Sequence, residues 1–359
     1  MKKTTRLLSL VLVIVLCLSV LPLSAAAASG GWQQIEGDWY YIENGAAATG
    51  WRKINSTWYY LVPEWGGIMC TGWLNTDPTY FQEDGTATGD WYHFSSSGAM
   101  EASKWVKDTY TYEGTTYTDW YYMLSNGKGA TGWQKIGGVW YYFDPDAGDA
   151  MVSGGMREIK DKWYYFKDSG ALYTGWKELG GIDGDGNPFS FWAYFTSNGA
   201  VQDAWKKING SWYYFDDIVM LTGGPYEIDG NYYYFNDSGS MFSGWKKIIP
   251  IERPGGTIEY DWGYFTPSGA LKINGWEKAG SYWYYFEGAR YYHDRGLTLN
   301  GKNYLFDSNG HMITGWYHDH DDLYYIGWQY YLSSGARVES GSLKINGKWY
   351  HFWNGYLRS

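Results

Sequence analysis

Residues 204–215, AWKKINGSWYYF, carry the feature that most restricts how this chain can fold. Asn209-Gly210 is the preferred dipeptide of a two-residue type I′ turn, because both central positions of that turn need a positive φ. Residues on either side of the dipeptide are rich in aromatic and apolar side chains. The stretch therefore predicts a short, tightly turned β-hairpin.

The predicted hairpin is apolar on both faces. Partners across the strands point to the same side, and neighbours along a strand alternate between sides. The turn pairs Ile208 with Ser211, Lys207 with Trp212, Lys206 with Tyr213, and Trp205 with Tyr214. One face carries Trp205, Lys207, Trp212 and Tyr214, and the other carries Ile208, Tyr213, Phe215 and the Lys206 stem. A lone hairpin cannot bury either face, so such units must stack on one another.

Variants of this hairpin recur along the chain. Tryptophan pairs spaced by seven residues occur at Trp32/Trp39, Trp51/Trp58, Trp133/Trp140, Trp205/Trp212 and Trp276/Trp283, and Met156/Trp163 keeps the spacing. Longer hairpins are predicted for Trp73/Trp91, Trp105/Trp120, Trp176/Trp192 and Trp245/Trp262, with extended tips at 76–90, 108–119, 182–191 and 249–261. Degenerate copies fall in register at Pro225/Tyr232, Gly296/Asn303, Trp316/Leu323 and Ser342/Trp349.

A repeat of about 20 residues with one hairpin per unit predicts an all-β solenoid of about fourteen hairpins. The repeats fill residues 31–359, of which 290–359 are more degenerate. A globular β-sandwich is the alternative fold, but it does not require a constant period. No block of about 100 residues, the size of an ordinary domain, remains for separate catalytic machinery.

The N-terminus predicts export. A basic start, MKKTTR, is followed by an apolar run from Leu7 to Leu23 and by small residues at Ala25 to Ala28. This order is typical of a secretory signal peptide, here residues 1–28. A membrane anchor is the alternative. Loss of this segment would also remove Cys17 and leave Cys70 unable to form an intramolecular disulfide.

The charge disfavours one class of partner. Removing Lys2, Lys3 and Arg6 with the signal peptide changes the formal net charge from −10 to −13. Nucleic acids need a basic surface, so the sequence predicts no nucleic-acid partner. An acidic chain is compatible with cationic ligands, although the charge is equally explained by solubility.

The repeats resemble a known family. The pattern GWxxxxGxWYYFxxxGxM, seen in TGWQKIGGVWYYF (131–143), TGWKELG (174–180) and SGWKKI (243–248), is similar to the choline-binding, or cell-wall-binding, repeats of Gram-positive surface proteins. The resemblance covers nearly all of the chain after the signal peptide. The motif is less specific for the ligand, because glucan-binding repeats and the C-terminal repeats of clostridial toxins look related.

The resemblance implies ligand sites between neighbouring hairpins, each built from two tryptophans of one hairpin and the second tyrosine of WYY in the next. The expected choline-binding sets are Trp32, Trp39 and Tyr60; Trp73, Trp91 and Tyr122; Trp105, Trp120 and Tyr142; Trp133, Trp140 and Tyr165; Trp176, Trp192 and Tyr214; Trp205, Trp212 and Tyr234; and Trp245, Trp262 and Tyr285. Met100, Met151, Met220 and Leu271 are placed to close four sites. The alternative is that these rings only pack hairpin on hairpin.

Several units depart from this pattern. Trp51/Trp58 would receive His93 in place of tyrosine, and Trp276/Trp283 would receive Leu305. Met156 and Pro225 replace the first tryptophan of their units. From about residue 290 the units look more like the toxin or glucan-binding type. We expect these junctions to be structural or to bind something else.

Other chemistry has weaker support in the sequence. Asp183, Asp185 and Asn187 resemble half of a calcium loop, but Tyr194 stands where a bidentate glutamate is needed, so a polar turn is expected. His318, Asp319, His320 and Asp321 alternate along a predicted strand, which favours a solvated loop over a metal site. The sequence contains no recognisable nucleophilic triad, phosphate loop or paired catalytic carboxylates. It therefore predicts no catalytic residues, metal or cofactor.

The sequence thus predicts a secreted, non-enzymatic protein of the cell surface that binds choline groups of cell-wall teichoic or lipoteichoic acid. Two alternatives stay open. The same rings could stack on the sugars of a glucan, or the extended hairpins could contact a host or bacterial protein.

Overall fold

The computed structural model describes residues 30–76, 89–252, 257–320 and 327–358. The predicted signal peptide and most of the tip at 76–90 lie outside the described residues. The chain divides into two units. The first contains the described residues up to Arg157 together with Phe166–Leu172, and the second contains Glu158–Tyr165 and the described residues from Tyr173 onward.

The first half of the chain is built of short strands. They are β1 Gly31–Ile35, β2 Asp38–Glu43, β3 Ala46–Ala47, β4 Gly50–Ile54, β5 Thr57–Val62, β6 Ile68–Met69, β7 Gly72–Asn75, β8 Trp91–Phe94, β9 Lys104–Tyr112, β10 Thr115–Met123, β11 Gly132–Ile136, β12 Val139–Asp144, β13 Ala150–Met151, β14 Gly155–Glu158 and β15 Trp163–Phe166. Two single-turn 3₁₀-helices, Pro63–Trp65 and Pro145–Ala147, interrupt them.

The same pattern continues to the C-terminus. The strands are β16 Gly175–Ile182, β17 Pro188–Thr196, β18 Gly199–Ala200, β19 Ala204–Ile208, β20 Ser211–Asp216, β21 Val219–Met220, β22 Gly224–Ile228, β23 Asn231–Phe235, β24 Gly244–Glu252, β25 Ile258–Phe265, β26 Gly275–Ala279, β27 Tyr282–Glu287, β28 Arg290–Tyr291, β29 Arg295–Leu299, β30 Lys302–Phe306, β31 Gly315–Asp319, β32 Gly327–Tyr331, β33 Gly341–Ile345, β34 Lys348–Trp353 and β35 Tyr356–Leu357.

The strands form fourteen small sheets within the described residues, and seven of these sheets add a short third strand to the hairpin. Within each unit, a hairpin packs its aromatic face against the next hairpin along the chain. The prediction of an all-β solenoid of about fourteen hairpin repeats is therefore confirmed. One register was wrong: Trp316 belongs to a hairpin in which His318 pairs with Trp328, so Leu323 is not its second aromatic position.

The turn chemistry is as the sequence predicts. Asn209 and Gly210 adopt φ values of 49° and 91°, as a type I′ turn requires. The register of β19 and β20 pairs Trp205 with Tyr214 and Lys207 with Trp212. Local sequence therefore fixes which side chains share a face of the hairpin.

Each repeat contributes one buried residue to the core, and within each unit we call these residues the column. This residue is the last or the penultimate one of the second strand of each hairpin, where it points away from the tryptophans of its own hairpin and toward the preceding repeat. The column consists of Ile42, Leu61, Phe94, Met123, Phe143, Phe166, Phe195, Phe215, Phe235, Phe265, Phe286, Phe306, Tyr331 and Phe352. The thiol of Cys70 packs with Val62 and Phe94, and burial raises its pKa to about 11.

Candidate functional site

In five hairpins the two tryptophans lie nearly at right angles to each other. In the hairpin of β19 and β20, the Trp205 and Trp212 ring centroids are 6.5 Å apart with an interplanar angle of 85°. Tyr214, directly across from Trp205, contacts it edge-on at 5.3 Å. Four other pairs share this geometry, with angles of 84–89°: Trp51/Trp58, Trp73/Trp91, Trp133/Trp140 and Trp316/Trp328.

The following hairpin completes the surroundings of the first tryptophan. In the next repeat, Tyr232 stands at the position of the second tryptophan, and Tyr233 follows it. The ring centroid of Tyr233 lies 4.7 Å from that of Trp205. Phe235 of the buried column lies 5.7 Å from the same ring. We call this arrangement an aromatic slot: a first tryptophan, its partner tyrosine, a second tryptophan at the rim, and the facing tyrosine of the next hairpin.

The slot recurs in both units. Nine first tryptophans have their ring centroids 4.7–5.0 Å from the facing ring of the next hairpin. The pairs are Trp32 with Tyr59, Trp51 with Tyr92, Trp73 with Tyr121, Trp105 with Tyr141, Trp176 with Tyr213, Trp205 with Tyr233, Trp245 with Tyr284, Trp276 with Tyr304, and Trp316 with Tyr350.

The rings that face the first tryptophans lie one position before the predicted tyrosines, and the choline-binding sets themselves stay a prediction. The second tyrosine of WYY contacts the first tryptophan of its own hairpin, as in Trp51–Tyr60, Trp105–Tyr122, Trp133–Tyr142, Trp205–Tyr214 and Trp276–Tyr285. The physical reason is alternation: hairpins stack front to back, so the next hairpin presents the opposite face, which carries the first tyrosine.

Two of the predicted tyrosines belong to hairpins whose first tryptophan is replaced. Tyr234 pairs across the strands with Pro225 and packs against Phe242. Tyr165 lies in the second unit, where it packs against Tyr173 and Phe195, whereas Trp133 and Trp140 lie in the first unit.

The same shift corrects two predicted departures. Trp51 faces Tyr92, and His93 instead contacts Trp73 of its own hairpin at 4.8 Å. Trp276 faces Tyr304 at 4.9 Å rather than Leu305. Both junctions therefore have the full aromatic set.

Sequence reasoning missed the slot of Trp316 and Trp328. Trp316 contacts Tyr330 of its own hairpin and Tyr350 of the next. The signal that could have revealed it is the string GWQYY at 327–331, a copy of the aromatic strand displaced by a longer hairpin tip.

The second tryptophans form an exposed rim. Their exposure is nearly constant at 39–42% for Trp39, Trp58, Trp120, Trp140, Trp192, Trp212, Trp262 and Trp283. The first tryptophans of the same hairpins are only partly exposed, because the next hairpin covers them. In these eight hairpins one indole is thus shielded, and the face of the other remains open to solvent.

The open faces already attract cations of the protein itself. Lysine ammonium groups lie 5.6–5.9 Å from the indole centroids of the second tryptophans in four repeats, in the pairs Lys53/Trp58, Lys135/Trp140, Lys207/Trp212 and Lys247/Trp262. These distances lie within the range of cation–π attraction. The rings can thus hold a positive charge without supplying a hydrogen bond. Burial raises the pKa of Tyr92 and Tyr284, so these slot phenols stay neutral.

The four predicted closing residues divide into two groups. Met151 lies in β13, which packs beside β10 and its Trp120, and Met220 packs in a cluster with Trp176 and Phe215. Both therefore lie beside a hairpin of one of the seven predicted sets. The backbone N–H of Met100 donates to the Trp58 carbonyl, and that of Leu271 donates to the Tyr232 carbonyl. These two residues therefore lie at junctions outside the seven predicted sets.

The polar motifs are local structures in the described residues. Asp183 accepts hydrogen bonds from the backbone N–H groups of Asp185 and Asn187, which forms the polar turn expected at this hairpin tip. The Nδ1 atoms of His318 and His320 are 3.2 Å apart, while Asp321 lies outside the described residues. No group of three potential ligands in the described ranges is arranged to hold a metal ion. None of the described segments is a helix with the length and apolarity needed to cross a bilayer.

A chain of repeated hairpins with an aromatic slot at most junctions is a repeat-type binding protein. Family models match it accordingly: a choline-binding repeat matches residues 29–73 and 114–154, and a putative cell wall binding repeat matches 81–100, 157–172, 203–217, 226–241, 274–289 and 297–312. Together these matches cover about half of the chain. The chain belongs to the choline-binding, cell-wall-binding repeat family.

Several solved structures are similar. CbpJ from Streptococcus pneumoniae TIGR4 is 25% identical, with 91% of this chain and 100% of that chain covered and a TM-score of 0.27. Choline binding protein F from Streptococcus pneumoniae is 24% identical, with 92% and 99% covered and a TM-score of 0.29. The modular autolysin LytC from Streptococcus pneumoniae is 22% identical, with 79% and 52% covered and a TM-score of 0.41. No curated protein sequence matches the chain.

Proposed function

We propose that this protein is exported and attaches non-covalently to the cell wall by binding choline groups of teichoic or lipoteichoic acid in its aromatic slots. The observation that carries the proposal is the repeated right-angle pair of indoles whose outer ring is about 40% exposed, as in Trp205 and Trp212. Family membership supplies the ligand class.

The chemistry of choline suits such a slot. A trimethylammonium group cannot donate a hydrogen bond, so an aromatic face is its natural partner. Each contact with a ring face contributes about 0.5–2 kcal/mol, depending on how far it is desolvated. In the slot of Trp205, we assign the contacts to Trp205, Trp212 and the facing Tyr233, with Met241 of the next loop beside them, because its N–H donates to the Trp212 carbonyl. Equivalent residues act in the other slots.

Repetition explains how weak sites can attach a protein to a surface. Each slot is shallow and open, so a single choline is held weakly. A polymer that carries many cholines meets several slots on one chain, and each further binding event is then intramolecular and favoured by effective concentration. The protein acts by binding, without a catalytic step of its own.

The test is a choline titration of the mature protein followed by tryptophan fluorescence, with dextran and glucose in parallel. We expect a saturable response to choline. Trp212→Ala removes an exposed ring from one slot and should reduce the response in proportion. Trp353→Ala is the matched control, because Trp353 is 62% exposed and belongs to no slot. A response to dextran without one to choline, or equal losses in both variants, would contradict the proposal.

A further inference from the structure

One junction between repeats has lost its aromatic slot and contains a polar cavity instead. It lies between the hairpin of β29 and β30 and the hairpin of β31 and β32, in the second unit. Its volume is about 830 Å³, within the usual size range of small-molecule sites.

The cavity exists because the aromatic residues that build a slot in other repeats are replaced at this junction. Registers place Gly296 and Asn303 where Trp205 and Trp212 stand in their hairpin. Across the junction, Gln329 takes the place of the facing tyrosine. The space of an absent indole thus remains at the centre of the junction.

The remaining two positions are exchanged as well. Tyr331 occupies the position at which most other repeats have a buried phenylalanine, and it is only 3% exposed. Arg337 replaces the loop methionine: its backbone N–H donates to the Asn303 backbone carbonyl, as the backbone N–H of Met241 donates to the Trp212 carbonyl. The five positions that build the slot of Trp205 are therefore all occupied by different residues at this junction.

The polar side chains are held in place by hydrogen bonds. Gln329, 2% exposed, accepts from the Tyr331 hydroxyl at 2.7 Å and donates to Asp319 at 3.1 Å. Arg337 makes a two-point ion pair with Glu339 at 3.0 and 2.9 Å. Asn303 donates to the same carboxylate at 2.7 Å. A fixed set of donors and acceptors is what specific recognition of a polar ligand needs.

The charges around the cavity favour a neutral ligand. Its lining includes the carboxylates of Asp294, Asp307 and Asp319, which disfavour an anion, and the guanidinium groups of Arg295 and Arg337, which disfavour a cation. Burial raises the pKa of Tyr331 far above its ordinary value, so its hydroxyl stays protonated and can donate a hydrogen bond. Tyr304 and Tyr317 add aromatic surface to the lining.

We propose that this cavity, lined by Asn303, Asp319, Gln329, Tyr331 and Arg337, binds a neutral saccharide. A sugar ring offers many hydroxyls to mixed donors and acceptors and an apolar face to the tyrosines. The site is independent of the aromatic slots, so the chain would bind two chemical classes through one repeat design.

The experiment is saturation-transfer NMR of the mature protein with maltotriose, isomaltotriose and chitotriose, each with and without excess choline. We expect at least one saccharide to bind and choline to leave that binding unchanged. Absence of binding by all three saccharides would overturn the proposal, and so would displacement of the bound saccharide by choline.

Variants locate the site. A Cβ at Gly296 would meet no atom closer than the Tyr304 carbonyl oxygen at 3.5 Å, so the backbone accepts a side chain there. Gly296→Trp should fill the cavity and abolish saccharide binding, whereas Gly296→Ala should retain it. Arg337→Met, which restores the loop residue of other repeats, should weaken it. Circular dichroism and the unfolding midpoint verify folding. Saccharide binding that survives in a folded Gly296→Trp protein would place the ligand elsewhere.

Discussion

Lys207 lies directly across the hairpin from Trp212, with its ammonium nitrogen 5.9 Å from the indole centroid. The residue at this cross-strand position therefore decides the charge that an incoming cation meets at the rim of the slot. It varies between repeats: Glu178 stands across from Trp192, and Gln34 across from Trp39. The slots are thus alike in their rings and different in their electrostatics.

The first prediction follows from that position. Lys207→Gln should tighten choline binding at Trp212 about threefold, since a unit charge about 6 Å away in water is worth about 0.7 kcal/mol. Glu178→Gln, which also removes one charge, should weaken binding at Trp192 by a comparable factor. Fluorine NMR of 5-fluorotryptophan-labelled protein can follow individual rings, with Trp212 assigned by its loss in Trp212→Phe. Lys206→Gln is the control, because Lys206 points to the other face of the hairpin. If Lys206→Gln and Lys207→Gln changed the choline affinity at Trp212 equally, the effect would come from net charge and not from the position of Lys207.

The second prediction concerns the loop glycines. A Cβ at Gly239 would lie 2.3 Å from the Met220 sulfur, whereas one at Gly210 would meet nothing within 4 Å. Both glycines have positive φ, 78° and 91°, so alanine at either should cost about 1–2 kcal/mol in backbone strain. Gly239→Ala should lower the urea midpoint further than Gly210→Ala, because Met220 must move from its cluster with Trp176. Adding Met220→Ala should cost less in Gly239→Ala than in the wild type. Additive effects of the two substitutions would contradict a direct contact.

The third prediction concerns the buried column. Phe215 is fully buried, so Phe215→Ala should reduce the free energy of unfolding by about 3–5 kcal/mol. Phe189→Ala, in an extended hairpin where the ring is 48% exposed, should have little effect. Urea denaturation measures both. Similar losses in the two variants would mean that the column does not dominate stability.

The fourth prediction is a dependence on pH. Burial alone would raise the pKa of Glu101, but hydrogen bonds from Lys104 and His93 lower it below the ordinary 4.5. A lowered carboxyl pKa contributes stability above the ordinary value and loses it as the pH falls through the folded value. Glu101→Gln should therefore destabilise the protein at pH 7 and flatten the loss of stability below about pH 4.5. Thermal unfolding between pH 7 and pH 3 tests this. If Glu101→Gln lost as much stability between pH 7 and pH 3 as the wild type, Glu101 would not contribute to the acid destabilisation.

Much of the fold could be predicted because its determinants are local. The Asn209-Gly210 turn fixes the cross-strand register, and alternation along the strands then puts Trp205, Trp212 and Tyr214 on one face. The same information gives the number of repeats. The register predicted from the sequence was wrong in the hairpin of Trp316, where the second tryptophan is Trp328 because the hairpin is longer.

The sequence by itself determined the hairpin, its two faces and its repetition, since turn chemistry and strand alternation act within a few residues. Only the tertiary structure decided which rings meet between repeats. Trp205 faces Tyr233 rather than Tyr234 because stacked hairpins oppose front to back, a relation that no single repeat contains. The polar cavity at Gly296 has the same origin: its lining comes from two hairpins and a loop, and only stacking brings them together.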